Sequence, residues 1–165
     1  MGITNIADVA GGRGRLSHHL RKLGFDSTIV DIRDAAHPGW LHRTLRKKSR
    51  RSGRLIQIPR VVAKVQDMDL SRFDLIVGLH PDEATEHIVS AAIKHDKDFA
   101  IVPCCVFPLD GVRRSKEDWR EYLASLSPET EIATLPFNGS NVVLYRSKRS
   151  RDGRDTGVNG AEGLS

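Results

Sequence analysis

The chain has 165 residues, 28% of them charged, with 26 Lys and Arg against 21 Asp and Glu and a formal net charge of +5. That length suits one domain with a substantial core. No stretch approaches the apolar length of a membrane span, no signal peptide is expected of an N-terminus that runs directly into a glycine turn, and two adjacent cysteines, Cys104 and Cys105, exclude a disulfide framework and predict a reducing intracellular compartment, cytoplasm or nucleus.

In chain order, residues 6–10 are apolar apart from Asp8, too short for a helix and bounded by Gly11-Gly12, so they read as a first strand. Gly11, Gly12 and Gly14 let the backbone turn sharply and approach a ligand. Leu16, Leu20 and Leu23 then fall on one helical face, with Gly24 placed as a C-terminal cap. Residues 27–32 are rich in β-branched residues and read as a second strand with Asp31 at or near its end. Trp40, Leu41 and Leu45 mark a helix that Gly53 interrupts. The third strand is either 55–58 or 61–66, on opposite sides of Pro59, with the second segment favoured.

Residues 73–79 are an apolar run suited to a strand buried on both faces. Ala84, Ile88, Ala91 and Ala92 give a helix face, and 99–102 another buried strand ending in Pro103-Cys104-Cys105. Ser115 with Asp118 is a capping-box start for a helix carrying Trp119, Tyr122, Leu123 and Leu126. Asn138-Gly139 between 131–137 and 141–146 signals a hairpin. Residues 147–165 are polar and glycine-rich, so the expected organisation is a domain over 1–146 and a disordered tail. The pattern predicts a doubly wound, Rossmann-like α/β fold with a mostly parallel sheet and a terminal antiparallel hairpin.

The positive charge is local. Residues 35–66 contain no acid but hold nine of the Lys and Arg, including Arg43, Arg46, Lys47, Lys48, Arg50, Arg51 and Arg54. The remaining 17 basic residues face 21 acids. Such a block is either a solvated helix face or a contact for a polyanion, and the missing acids favour RNA phosphates. Trp40 either stacks on a base or, more in keeping with its helix, enters the core.

Asp8-Val-Ala-Gly-Gly-Arg-Gly14 resembles motif I of class I S-adenosylmethionine-dependent methyltransferases, with Ala10 where the first glycine usually stands. Asp31 matches the family's ribose-binding acid. Gly78-Leu-His-Pro-Asp-Glu-Ala-Thr85, followed by Pro103-Cys-Cys105, resembles a subgroup that includes the methyltransferase domain of glutathione S-transferase C-terminal-domain-containing protein and the acceptor-stem tRNA ribose methyltransferases. The resemblance implies a seven-stranded sheet and S-adenosylmethionine as cofactor, held by Asp8, Ala10, Gly11, Gly12, Gly14, Asp31, Gly78 and, more weakly, Asp67. It implies RNA or a ribonucleoprotein as partner. The Asn/Asp-Pro-Pro-aromatic motif of amino-group methyltransferases is absent; His80-Pro81-Asp82 stands there instead. The family's helix before motif I is also missing, which would leave the site more open.

Within that frame the glycine amides meet the methionine carboxylate at a helix N-terminus, Asp31 takes the ribose hydroxyls, and Asp8 complements the sulfonium charge. Asp67 is either an adenine contact or part of a solvated loop. His80 is either structural or a general base for a ribose hydroxyl, with an imidazole's suitable pKa. Asp82 is either a helix cap or a member of the catalytic group, and Cys104 either packs or lines the acceptor pocket. Adjacent cysteines supply too few ligands for zinc, so no metal is expected. An RNA methyltransferase is the leading reading. A non-catalytic module binding RNA or a ribonucleoprotein, and a methyltransferase acting on protein or a small molecule, are the alternatives.

Overall fold

Strands and helices alternate as the apolar runs and glycine breaks dictate, in a computed structural model that describes residues 2–148. The elements are β1 (Asn5–Val9), α1 (Arg15–Lys22), β2 (Asp26–Asp31), α2 (Gly39–Ser52), β3 (Arg60–Val62), β4 (Leu75–Leu79), α3 (Thr85–Lys94), β5 (Asp98–Val102), α4 (Lys116–Ser125), β6 (Glu131–Thr134) and β7 (Val142–Arg146). They build one seven-stranded sheet in the order β3-β2-β1-β4-β5-β7-β6. β1 to β5 pair in parallel, and β7 runs antiparallel between β5 and β6. The expected doubly wound fold with its closing hairpin is therefore present.

The two-residue period of a strand divides β1 and β2 between opposite faces of the sheet. Ala7, Val9 and Val30 join Ile76, Ile88, Phe99, Ile101, Trp119, Leu123 and Leu144 in the larger core, beneath α3 and α4. Ile29 packs with Leu41 and Ile58 in a smaller cluster that seats α2, with Leu45 against it. Asp8 and Asp31 share the parity of Ile29, and this places two buried carboxylates on the α1 and α2 side.

Four details differ from the sequence reading. β3 spans only three residues and falls on the favoured segment, beginning one residue before it and ending at Val62; Pro59 accepts a hydrogen bond from the Ile29 amide and so fixes the register. Helix α1 buries Ser17 and His18, while Leu23 is 74% exposed. A polar link from the sheet sets that rotation, as described below. Trp40 is 39% exposed and meets the His18 ring edge-on, so it does not enter the core. The hairpin strands are shorter than expected, and Asn141 spans the connection by donating to the Leu135 and Phe137 carbonyls. The capping box at Ser115 and Asp118 forms as expected. Of the expected tail, Ser147 and Lys148 are described, and the Lys148 amide donates to Asp98; the rest lies outside the described residues. Among the described residues no helix is long and apolar enough to cross a membrane.

Candidate active site

The glycine turn joins β1 to α1 through a buried chain of polar groups. Asp8 accepts from the Ser17 amide at 3.0 Å and from its hydroxyl at 2.6 Å, and Ser27 on β2 donates to Ser17 at 2.9 Å. This link turns the polar face of α1 toward the sheet. Two glycines have no room for a side chain. A Cβ on Gly11 would lie 2.8 Å from Asp8, and one on Gly14, at φ +80°, would lie 2.6 Å from Ile29.

Burial pushes the Asp8 carboxyl up to about 6, against the pull of its Ser17 bonds. The folded state therefore holds this proton more tightly than the unfolded chain, so Asp8 contributes most to stability below about pH 4 and progressively less as pH rises through 6. Relative to Asp8→Asn, the wild type is expected to lose on the order of 2–3 kcal/mol between pH 4 and pH 7.5. Urea unfolding of both proteins across that range measures the difference; a difference that does not change with pH would contradict the assignment.

Ala10 occupies the left-handed region at φ +53°, a conformation that favours glycine, and its amide donates to the Val30 carbonyl. A left-handed alanine costs about 1–2 kcal/mol, and glycine's greater freedom in the unfolded chain takes back roughly 0.5–1 kcal/mol. Ala10→Gly is expected to raise the melting temperature by about 2–4 °C, read by calorimetry. An unchanged or lower value would refute strain at this position.

Asp31 closes the other side of the turn. One carboxylate oxygen accepts from the Gly12 amide at 2.9 Å, and the other from the Arg33 amide at 2.9 Å and its Nε at 3.3 Å. Burial alone would raise its pKa, but the Arg33 and Gly12 hydrogen bonds outweigh burial and hold the carboxyl below the usual carboxylate range. The acid is thus ionised at neutral pH, and it is part of the glycine turn. Arg60 on β3 braces the same region, donating to the carbonyls of Gly12 at 2.6 Å, Ala35 at 2.9 Å and Arg33 at 3.1 Å. In the sequence Arg60 is one of the nine Lys and Arg of residues 35–66, with nothing in its neighbours to set it apart.

A cavity of about 610 Å³ opens at the carboxyl ends of β1, β2 and β4. Open α/β sheets bind ligands at such points, where the strand order reverses. Of the predicted site residues, Ala10, Asp31, His80 and Asp82 line it, together with Cys105. Asp8, Gly11, Gly12 and Gly14 build the turn behind it, and Gly78 lies within β4, where a Cβ would meet Ile88 at 2.7 Å. Asp67 is exposed on the turn after β3; its neighbours Lys64, Val65 and Gln66 form the wall instead.

His80 and Asp82 both have left-handed backbones, at φ +55° and +48°. With Ala10 they make three strained non-glycine residues around one cavity, and such strain clusters at functional sites. The His80 amide donates to Val102 at 3.0 Å, and its exposed ring has no hydrogen bond among the described residues. Cys104 donates to Asp82 at 3.0 Å, and burial together with that carboxylate pushes the thiol up to about 12, so it is a thiol at neutral pH.

A second cavity of about 550 Å³ adjoins the first and shares Glu83, His87 and Phe107 with it. Its outer wall carries Leu109, Val112, Arg113 and Arg114. The loop forming it is anchored by Glu86, which accepts from the Leu109 amide and the Tyr122 hydroxyl, both at 2.8 Å. Arg114 is occupied by Asp110 and lies over the Tyr122 ring. Arg113 is exposed.

On the opposite side of Asp31, α2 presents the predicted basic residues. Arg43, Arg46, Lys47, Lys48, Arg50, Arg51 and, just beyond the helix, Arg54 are all exposed. Among the described residues none of the seven is paired with an acid.

This strand order, with its glycine turn and terminal hairpin, is the class I S-adenosylmethionine-dependent methyltransferase fold. Solved structures sharing it include the ribosomal protein L11 methylase of Lactobacillus delbrueckii subsp. bulgaricus, 18% identical with a TM-score of 0.54 over 88% of this chain and 69% of that one. The aminoglycoside resistance methyltransferase NpmB1 is 16% identical with a TM-score of 0.58 over 86% and 85%. The tRNA (uracil-54, C5)-methyltransferase of Pyrococcus abyssi is 16% identical with a TM-score of 0.51 over 88% and 33%. No protein-family profile matches the chain. Among curated proteins, a Caenorhabditis elegans protein named "Probable tRNA (uracil-O(2)-)-methyltransferase" is 32% identical over 110 residues, which is 64% of this chain and 18% of the relative. Its Caenorhabditis briggsae namesake is 31% identical over 106 residues, 64% of this chain and 18% of the relative. The chain thus spans about a fifth of the length of the curated relatives it matches.

Proposed function

We propose that this domain is an S-adenosylmethionine-dependent methyltransferase acting on RNA, with tRNA the class that its curated relatives' names suggest. The observation that carries the reading is the cavity at the strand-order reversal, with a buried, ionised Asp31 in its wall. Its volume lies within the range of about 300–1,000 Å³ common for cofactor sites. Its lining suits an adenosylated cation: a carboxylate to accept from ribose hydroxyls, with Val65 and Gln66 available beside a flat base.

When bound, S-adenosylmethionine supplies an electrophilic methyl group on a positively charged sulfur. Asp31 accepts the two ribose hydroxyls on lone pairs not committed to Gly12 and Arg33. Arg60 holds the glycine turn in place through the Gly12 carbonyl. The acceptor nucleotide enters from the adjoining cavity, where Phe107 offers an apolar face and Arg113 a cation for phosphate. His80, at the cavity wall, takes the acceptor hydroxyl's proton on a ring nitrogen. Alignment of donor and acceptor provides most of the acceleration.

Incubating the full chain with methyl-labelled S-adenosylmethionine and total tRNA, followed by nucleoside mapping, tests the reading. Transfer to a ribose or base oxygen is expected. Binding without transfer to any RNA would favour a protein or small-molecule acceptor. Absence of binding at millimolar S-adenosylmethionine would leave a non-catalytic RNA-binding module.

A further inference from the structure

The register of the two central strands brings together three metal-ligating side chains that are distant in sequence. Leu79 on β4 pairs with Val102 on β5, so the turns that leave these strands run side by side at the carboxyl edge. One turn carries Asp82; the other carries Cys104 and Cys105. The Cys104 sulfur lies 3.0 Å from Asp82 Oδ1 and 3.5 Å from the Cys105 sulfur. All three ligand atoms fall within 4.8 Å of one another. Neighbouring side chains on a strand point to opposite faces. These two cysteines follow Pro103 after β5 has ended, and their sulfurs meet on one side.

We infer that Asp82, Cys104 and Cys105 form a three-ligand site for a thiophilic divalent cation of the zinc class. Two sulfurs with one carboxylate oxygen are a soft donor set that selects such an ion over magnesium or calcium. Bond lengths of about 2.3 Å to sulfur and 2.0 Å to oxygen fit a tetrahedron once the present contacts widen by a few tenths of an ångström. The fourth position falls to water, as in three-ligand sites that keep an open coordination position. Asp82 and Cys105 line the larger cavity, so the ion would sit in the wall shared with the proposed methyl-transfer site. Among the described residues no Lys or Arg pairs with Asp82, so its charge is available to a cation. The paired cysteines alone offer two ligands, and the third comes from another strand.

Cobalt(II) is the probe. Cys104 and Cys105 are the chain's two cysteines, so any sulfur-to-cobalt charge-transfer absorption must arise from them. The 165-residue chain, reduced and metal-free, is expected to develop this absorption, saturate at one equivalent and lose it on addition of zinc(II). Cys105→Ser, at an exposed position, is expected to weaken cobalt affinity at least tenfold with its thermal unfolding unchanged. Asp82→Asn keeps the absorption and also binds at least tenfold more weakly. Absence of the absorption at stoichiometric protein, or equal affinity in Cys105→Ser, would overturn the site. The measurement needs neither S-adenosylmethionine nor RNA, so it stands or falls apart from the methyltransferase reading.

Discussion

Asp31→Ala is expected to weaken S-adenosylmethionine and S-adenosylhomocysteine binding by about two orders of magnitude. Hydrogen bonds to a charged group contribute about 1.5–3 kcal/mol, and each 1.4 kcal/mol is tenfold in affinity, so even partial loss of two ribose contacts reaches this size. The substitution also removes the acceptor for the Gly12 and Arg33 amides, so some loss of stability accompanies it. Asp31→Asn separates the effects. It keeps one carbonyl oxygen for a backbone amide but loses the charge and half of the acceptors, so its affinity is expected to fall between those of wild type and Asp31→Ala. Calorimetric titration with both ligands, beside thermal unfolding without them, measures the two quantities independently. A folded Asp31→Ala protein with wild-type affinity would remove Asp31 from the site.

The fold was readable in the sequence because its determinants are local: glycine where the chain turns toward a ligand, an acid ending the second strand, and buried runs at β4 and β5. What escaped the reading depends on side chains reaching across the sheet. Leu16, Leu20 and Leu23 carry a helical period, yet Asp8 draws in Ser17, and the helix turns with it. Arg60 looked like one more cation because its bonds go to carbonyls, which leave no pattern in the side chains. β3 is too short for periodicity to distinguish it from its flanks. Within the site, Ala10, Asp31, His80 and Asp82 were legible as motif residues. The partnership of Asp82 with Cys104 was not, since it follows from the β4–β5 register. Glu86 was hidden in the same way: a charged residue in the α3 sequence, it is buried because the loop after β5 lends it an amide and α4 a hydroxyl.

Changing Arg46, Lys47 and Lys48 together to Ala is expected to lower RNA affinity roughly a hundredfold near 0.1 M salt and to reduce the salt-dependence slope by about two. The estimate treats each cation as neutralising one phosphate. The geometry supports that: α2 anchors itself to the sheet through Leu41 and Leu45, and the basic residues occupy its exposed surface. Arg43, Lys47 and Arg50 recur at three- and four-residue spacing, so with Arg46 and Arg51 they form a stripe along the helix. A stripe of this kind tracks a backbone and positions RNA without reading its bases. Alanine preserves helix propensity at exposed positions, and none of the three side chains lines either cavity, so S-adenosylmethionine affinity is expected to stay at the wild-type value. Filter binding across a salt series, paired with calorimetry for the cofactor, tests both halves. Unchanged RNA affinity would make the block a solvated helix face. A parallel loss of cofactor binding would show that the substitutions had disturbed the domain and not just its surface. The salt slope is the decisive reading, because released counterions report phosphate contacts directly, whereas a drop in affinity alone has several causes.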